Sequence, residues 1–205
     1  MAIVVHGGYW KAQYDRSLME GLCVDLAVHG LAAWNLEYRR VGGGGGWPET
    51  FLDVAAGVDH LAELDAGLDV SHVVAVGHSA GGQLAFWAAA RPGLPEDGPG
   101  HAPRVVITGA VSQAGVLDLA LGAGLVPSST PTRALLGDPS QNYERYVLAS
   151  PRERLPTRSR CESRRATRPR PTRSPTRASC GCSRTRGTSS ISTLEPPPGM
   201  RRGTG

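Results

Sequence analysis

The stretch His72-Val73-Val74-Ala75-Val76-Gly77-His78-Ser79-Ala80-Gly81-Gly82 decides the fold. Val73 to Val76 is an unbroken apolar run, which predicts a buried strand over residues 72–76. Residues 81–91 are mostly small and apolar and predict a helix. Between strand and helix stands G-x-S-x-G, where a sharp turn lifts a serine clear of its neighbours. Gly77 and Gly81 allow that turn because they carry no Cβ. Ser79 then stands at a helix N-terminus, where free N–H groups and the helix dipole favour developing negative charge. A plain Gly-rich turn can show the same pentapeptide. The preceding strand, the following helix and the extra Gly82 make Ser79 the expected nucleophile.

Working outward, Ala2-Ile3-Val4-Val5 reads as another buried strand, directly followed by His6-Gly7-Gly8-Tyr9-Trp10. Apolar residues recur at Leu18, Leu22, Cys23 and Leu26, a helical spacing over residues 17–27, with Gly30 as the stop signal. A strand is expected over residues 31–34 and a loop over 42–46. Pro48 suits the first turn of a helix whose apolar stripe is Phe51, Val54, Ala55, Val58, Leu61 and Ala62. A fourth strand is expected over residues 104–107. Strands alternating with helices imply an α/β fold, a mostly parallel sheet flanked by helices. No internal repeat is present.

Charge divides the chain in two. Residues 1–150 carry 8 Lys+Arg against 15 Asp+Glu, and residues 151–205 carry 14 Arg against 3 Glu. The second part has eight Pro and no Val, Phe, Trp or Tyr. Such a composition buries too little surface to offset its ordering entropy. The expected organisation is therefore a folded domain over residues 1–155 and a basic, disordered tail over 156–205. Cys23 is expected in the core. Cys180-Gly-Cys182 lacks a partner pair at metal-ligand spacing, so no zinc site is expected. No signal peptide and no apolar run of about 18 residues is found, so the expected location is the cytoplasm, without membrane contact.

The two Gly-rich motifs, His6-Gly7-Gly8-Tyr9-Trp10 and Gly77-His78-Ser79-Ala80-Gly81-Gly82, resemble the α/β-hydrolase family. The branch is that of lipases and esterases related to hormone-sensitive lipase, and the first motif is similar to that of kynurenine formamidases. Glu37-Tyr38-Arg39-Arg40, Trp47-Pro48, the run from Gly115 to Leu119 and Ala149-Ser150-Pro151 are similar to the same branch, so the resemblance spans most of residues 2–155. It implies a serine hydrolase acting on a small carboxylic ester or formyl amide through an acyl-serine, with no metal or organic cofactor. It implies an oxyanion hole from the backbone N–H groups of Gly7, Gly8 and Ala80, and a loop-shaping role for His6. Tyr9, Trp10 and Trp47 are candidates for the substrate pocket, with core packing an equal alternative for each. Asp118 is positional in this pattern, and His29, His60, His72 and His101 are expected to be surface or packing residues.

The resemblance stops near residue 155. It also begins at what is similar to the family's third strand, so the expected fold is truncated at both ends. Triad partners in this fold follow the nucleophile as acid, then histidine. After Ser79 the only histidine is His101, in a Pro/Gly loop too early for the role. The chain as written is thus expected to be catalytically incompetent. The Arg/Ser/Pro/Thr/Cys bias of the tail is what a GC-rich gene gives when read out of frame. With the frame set one base earlier and serine codons of the TC type, Ser179 reads as Ile, Leu, Val or Phe. Cys180 and Cys182 read as Leu, Val or Met, and Ser183 as Leu or Phe. The following codons can read P-D-A-G-H-F, similar to the family's last strand and its histidine. A base lost between residues 150 and 157 would account for this; a genuine basic tail is the alternative. Its charge alone would draw polyanions, yet it has no aromatic residue for stacking and no reader motif, so nucleic acid is not an expected partner. The oligomeric state is not set by the sequence.

Overall fold

Ala2–Val5 forms strand β1, with all four residues buried, as an uninterrupted apolar run requires. A computed structural model of the protein describes residues 1–64, 67–124 and 131–154. In chain order the further elements are α1 (Glu20–Val28), β2 (Ala33–Leu36), α2 (Glu49–Asp59), β3 (Val74–His78), α3 (Ala80–Ala89), β4 (Gly109–Gln113), α4 (Leu119–Gly124), α5 (Pro131–Leu136) and α6 (Tyr143–Ala149). A 3-10 turn, Arg16–Met19, leads into α1. Among the described residues the sheet has the order β2-β1-β3-β4. Every pairing is parallel, with Val5 opposite Leu36 and Gly77, and His78 opposite Gln113. The α/β reading holds. Because β2 and β3 lie on opposite sides of β1, the chain reverses direction across the sheet between β1 and β3. Ligands collect at the carboxyl ends of parallel strands at such a reversal.

Three strands start later than the sequence predicts. Strand β2 begins at Ala33 because α1 ends in a Schellman motif: Gly30 (φ 78°) donates to Ala27 O and Leu31 donates to Leu26 O. This uses Leu31 as part of the helix stop. Strand β3 runs to His78, two residues beyond the expected end, and so carries the turn to Ser79 directly. The expected strand over 104–107 is the largest miss. Val105 and Ile107 are buried in the core, but the carboxylate of Asp59 accepts from the backbone N–H of Arg104 and Val105. The segment is thereby tied to the end of α2, and pairing with β3 starts only where Thr108 N donates to Val73 O.

Ile3 and Val5 of β1 and Ala75 of β3 share one core with Phe51, Val54 and Val58 of α2 and Leu84 and Trp87 of α3. The α2 stripe falls as predicted from Phe51 through Leu61; Ala62, one residue past it, is exposed. The rings of Trp47, Phe51 and Trp87 meet edge to face at 5.0 and 4.9 Å, and the Trp87 indole donates to Leu148 O. Arg91 lies fully buried after α3, forked onto Asp59 at 2.6 and 3.2 Å and donating to Gly100 O. By contrast, α1 buries none of its residues, and Cys23 is half-buried rather than a core residue. Its stripe rests on β2 with one side of the helix left open. The tail, with Cys161, Cys180, Cys182 and the segment read in the second frame, lies outside the described residues. Among the described residues no helix is long and apolar enough to cross a membrane.

Candidate active site

Two turns meet at the carboxyl end of the sheet. The first follows β1. Gly8 (φ 107°), Tyr9 (φ 55°) and Trp10 (φ 55°) are consecutive left-handed residues. The second follows β3 and holds Ser79 at φ 51°, ψ −117°, immediately before α3. A left-handed conformation is unfavourable for a residue with a Cβ, and it persists where the surroundings over-determine it.

Glycine is required where the turns touch. A Cβ on Gly7 would stand 2.7 Å from His78 O and 3.3 Å from Ser79 Cβ, so the backbone of Gly7 lies against the serine. A Cβ on Gly81 would collide with the carbonyl oxygens of Val5 and His6. The elbow helix therefore crosses directly over the end of β1. Ala80 is the first residue of α3 and is buried; by position its N–H has no partner within the helix.

Bonds at Gly8 and Trp10 hold the turn on either side of Tyr9. Lys11 N donates to Gly8 O, Val41 N donates to Trp10 O, and Ala12 N donates to Val41 O. The Trp10 ring is buried, and its indole N–H donates to Gln83 Oε1 at 3.1 Å. Gln83 is also fully buried and donates through Nε2 to Ala149 O at 2.8 Å. One amide thus links the loop after β1, the elbow helix α3 and the end of α6.

A second set of contacts holds the start of the same loop. His6 is fully buried, with Nδ1 2.8 Å from Gly7 O and Nε2 3.0 Å from Glu37 Oε1. Its ring stacks on Tyr38 at 4.3 Å, and the Tyr38 hydroxyl donates to His6 O at 2.8 Å. Arg40 pairs with Glu37 and donates to Tyr38 O. Burial alone would raise the Glu37 carboxyl. The backbone N–H groups of Arg16 and Tyr38, together with His6, hold it below the usual glutamate range. Burial pushes the Tyr38 hydroxyl well above its ordinary value, so it stays a donor.

The turns floor a cavity of about 580 Å³ lined by Gly7, Gly8, Tyr9, Tyr14, Leu18, Met19, Leu22, His78, Ser79 and Gln113. Of the expected site residues, Ser79, Gly7, Gly8 and Tyr9 are brought together here, with Ala80 directly behind the serine. Trp10 and Trp47 are not in the lining. Trp10 turns inward to reach Gln83, and Trp47 packs on Phe51. For these two the packing alternative describes the geometry.

The other titratable candidates are engaged elsewhere. Asp118 caps α4 by accepting from Leu121 N, the main cause of its lowered pKa, and pairs with Arg152. His29 faces Asp25 O, His60 faces Glu63, His72 faces Ser71 and His101 faces Leu94 O. Sequence reasoning missed Gln83, Tyr14, Met19 and Gln113, and it weighed Leu18 and Leu22 only as a helix stripe. Gln83 carried a usable signal: it is a lone amide in an otherwise apolar helix four residues after Ser79, the mark of a buried hydrogen-bonded group.

Comparison with known proteins follows the same outline. The family model described as BD-FAE matches residues 1–157. No curated protein matches the chain. Among solved structures, a truncated carbohydrate esterase from gut microbiota is similar at 23% identity and a TM-score of 0.63, over 75% of this chain and 61% of that one. Esterase B of Lactobacillus rhamnosis, inhibited by a tributyrin phosphonate, is similar at 25% identity and a TM-score of 0.57, over 71% of this chain and 50% of that one. A bifunctional GH43-CE protein of Bacteroides eggerthii is similar at 22% identity and a TM-score of 0.64, over 76% of this chain and 22% of that one. The chain thus spans less than two thirds of each of these relatives.

Proposed function

The chain belongs to the BD-FAE family, and on that premise we propose that the cavity is the acyl-transfer centre of a serine ester hydrolase. Ser79 Oγ attacks the carbonyl carbon of a small carboxylic ester. The N–H groups of Gly7, Gly8 and Ala80 stabilise the oxyanion that forms. The alcohol leaves with a proton, and water releases the acyl group from the serine. The observation that carries this reading is the placement of Ser79, on its left-handed turn, against Gly7 at the strand reversal. The solved relatives described as esterases support it. A formyl amide would react by the same steps, and the His6-Gly7-Gly8-Tyr9-Trp10 motif favours it as a second substrate class.

The proton must pass through a base, and that group belongs to the reading of the tail. We propose that the acid and histidine of the triad are encoded beyond residue 155 in the second frame, and that the chain as written is an inactive form. Loss of the base in such a triad lowers turnover by up to ~10⁶ and leaves roughly 10³ over water. Sequencing the gene across codons 145–200 is expected to find one missing base. The corrected product should hydrolyse p-nitrophenyl acetate, with Ser79→Ala abolishing the activity. Full Ser79-dependent hydrolysis by the 205-residue chain would overturn the inactivity. A corrected product that ignores esters would overturn the function. A gene whose frame is as written, with salt-sensitive DNA binding lost on removing residues 156–205, would point instead to a non-enzymatic protein with a basic tail.

A further inference from the structure

Three successive carbonyls after β1 are held from behind. The Tyr38 hydroxyl donates to His6 O at 2.8 Å, His6 Nδ1 lies 2.8 Å from Gly7 O, and Lys11 N donates to Gly8 O at 2.9 Å. A trans peptide holds its C=O and its N–H on opposite sides. Fixing His6 O against Tyr38 therefore turns the N–H of Gly7 the other way. Among the described residues the N–H groups of Gly7 and Gly8 donate to no backbone carbonyl. The backbone of Gly7 lies against Ser79. Tyr38 is itself locked, since its ring is buried and stacks on His6 at 4.3 Å. Burial keeps its hydroxyl protonated, and so a donor. A bond accepted at a carbonyl also polarises the N–H of the same peptide.

We propose that Tyr38 is a positioning residue for the oxyanion: its hydroxyl fixes the His6–Gly7 peptide so that Gly7 N–H is aimed at the site beside Ser79. Tyr38 is not in the cavity lining and acts only through Gly7. The inference rests on the ester-hydrolase reading and adds a residue to it. Negative charge develops at that N–H during the reaction, so Tyr38 favours the transition state more than the bound ester.

The test is NMR on the full chain, with methylphosphonate as a tetrahedral anion in place of the oxyanion. The amide resonances of Gly7 and Gly8 should both shift on titration of the native chain. Tyr38→Phe keeps the ring and removes the hydroxyl. It should move the Gly7 amide nitrogen upfield before any anion is added, and weaken methylphosphonate binding about fivefold, the contribution of one hydrogen bond. Tyr38→meta-fluorotyrosine, a stronger donor, should move the same nitrogen downfield and keep at least the native affinity. Tyr146→Phe controls for stability: Tyr146 is also buried, and its hydroxyl donates to Gly137 O at 2.8 Å, away from the cavity. It should lower the urea midpoint comparably and leave the anion affinity unchanged. In a frame-corrected product, Tyr38→Phe should lower kcat and leave KM in place.

Equal losses of affinity in Tyr38→Phe and Tyr146→Phe overturn the positioning role. So do an unmoved Gly7 amide, a native chain whose Gly7 ignores the anion, or a kinetic change confined to KM. The hydrolase reading fails separately. Affinity lost in Tyr38→Phe alone, with a frame-corrected product that cleaves no ester, leaves the anion site and its support standing and removes the enzyme.

Discussion

Tyr9 and Trp10 each carry a left-handed backbone disfavoured by about 1–2 kcal/mol, and the Trp10–Gln83–Ala149 chain is what keeps Trp10 there. Gln83→Leu leaves the buried indole N–H of Trp10 and the carbonyl of Ala149 without partners, at about 1–3 kcal/mol each. Urea titration should show a loss of about 2–5 kcal/mol. Trp10→Phe in the Gln83→Leu background should add much less than it does alone, because the two changes remove one shared bond. The Asp59–Arg91 pair is the other sensitive point. Asp59→Asn leaves a fully buried guanidinium uncompensated and should destabilise the protein by about 3–5 kcal/mol. Glu37 is one of several carboxylates, with Asp53, Asp118 and Asp138, that tie stability to pH. Its folded-state pKa lies below the ordinary value of 4.5, so the stability it adds is complete above that value and lost as pH falls through the folded-state value. Thermal melts should be insensitive to Glu37 ionisation from pH 7 down to about 5. The loss below pH 4.5 should be shallower in Glu37→Gln.

At the level of elements, the sequence was most readable where one period ruled. β1, the α2 stripe and the strand–elbow–helix of β3 and α3 are each a single pattern bounded by glycine or proline. At β2 and at residues 104–107 a hydrogen bond competed with the apolar pattern, local at the helix end in the first case and tertiary in the second. Val105 and Ile107 are as apolar as any strand residue, yet Asp59, 45 residues from Arg104, captures the backbone there. The Schellman motif likewise took Leu31 from β2. The Ser79 and Gly7-Gly8 turns were legible because backbone shape demands glycine at fixed spacing. The cavity walls were not, since Tyr14, Leu18 and Gln113 are ordinary residues that only the packing brings together. Helix α1 follows a helical period but buries nothing, so Val24→Lys and Val28→Lys should each change stability by under about 0.5 kcal/mol in urea titration. Leu84→Ala, inside the core, should lose about 2–5 kcal/mol.

For the whole molecule, charge and sheet edges make opposite forecasts about self-association. Residues 1–150 are net acidic and 151–205 net basic, so attraction between the halves of different molecules would weaken as salt screens it. Strands β2 and β4 each pair on one side only among the described residues, and Val111 on β4 is half-exposed. Open strand edges template further pairing. The edges are expected to dominate: light scattering should show aggregation that persists in high salt and falls with Val111→Lys. The buried aromatic chain meanwhile makes the protein its own optical gauge. Three indoles donate to fixed oxygens, Trp10 to Gln83, Trp34 to Gly57 and Trp87 to Leu148, and Trp47 and Trp87 share the ring of Phe51. Ultraviolet emission from these fluorophores therefore reports the helix layer and the turn beside Ser79 at once, without any attached dye. A single red shift on heating means that layer and turn come apart together; an early partial shift, absent in Trp10→Phe, means that the turn loosens while the layer still glows blue.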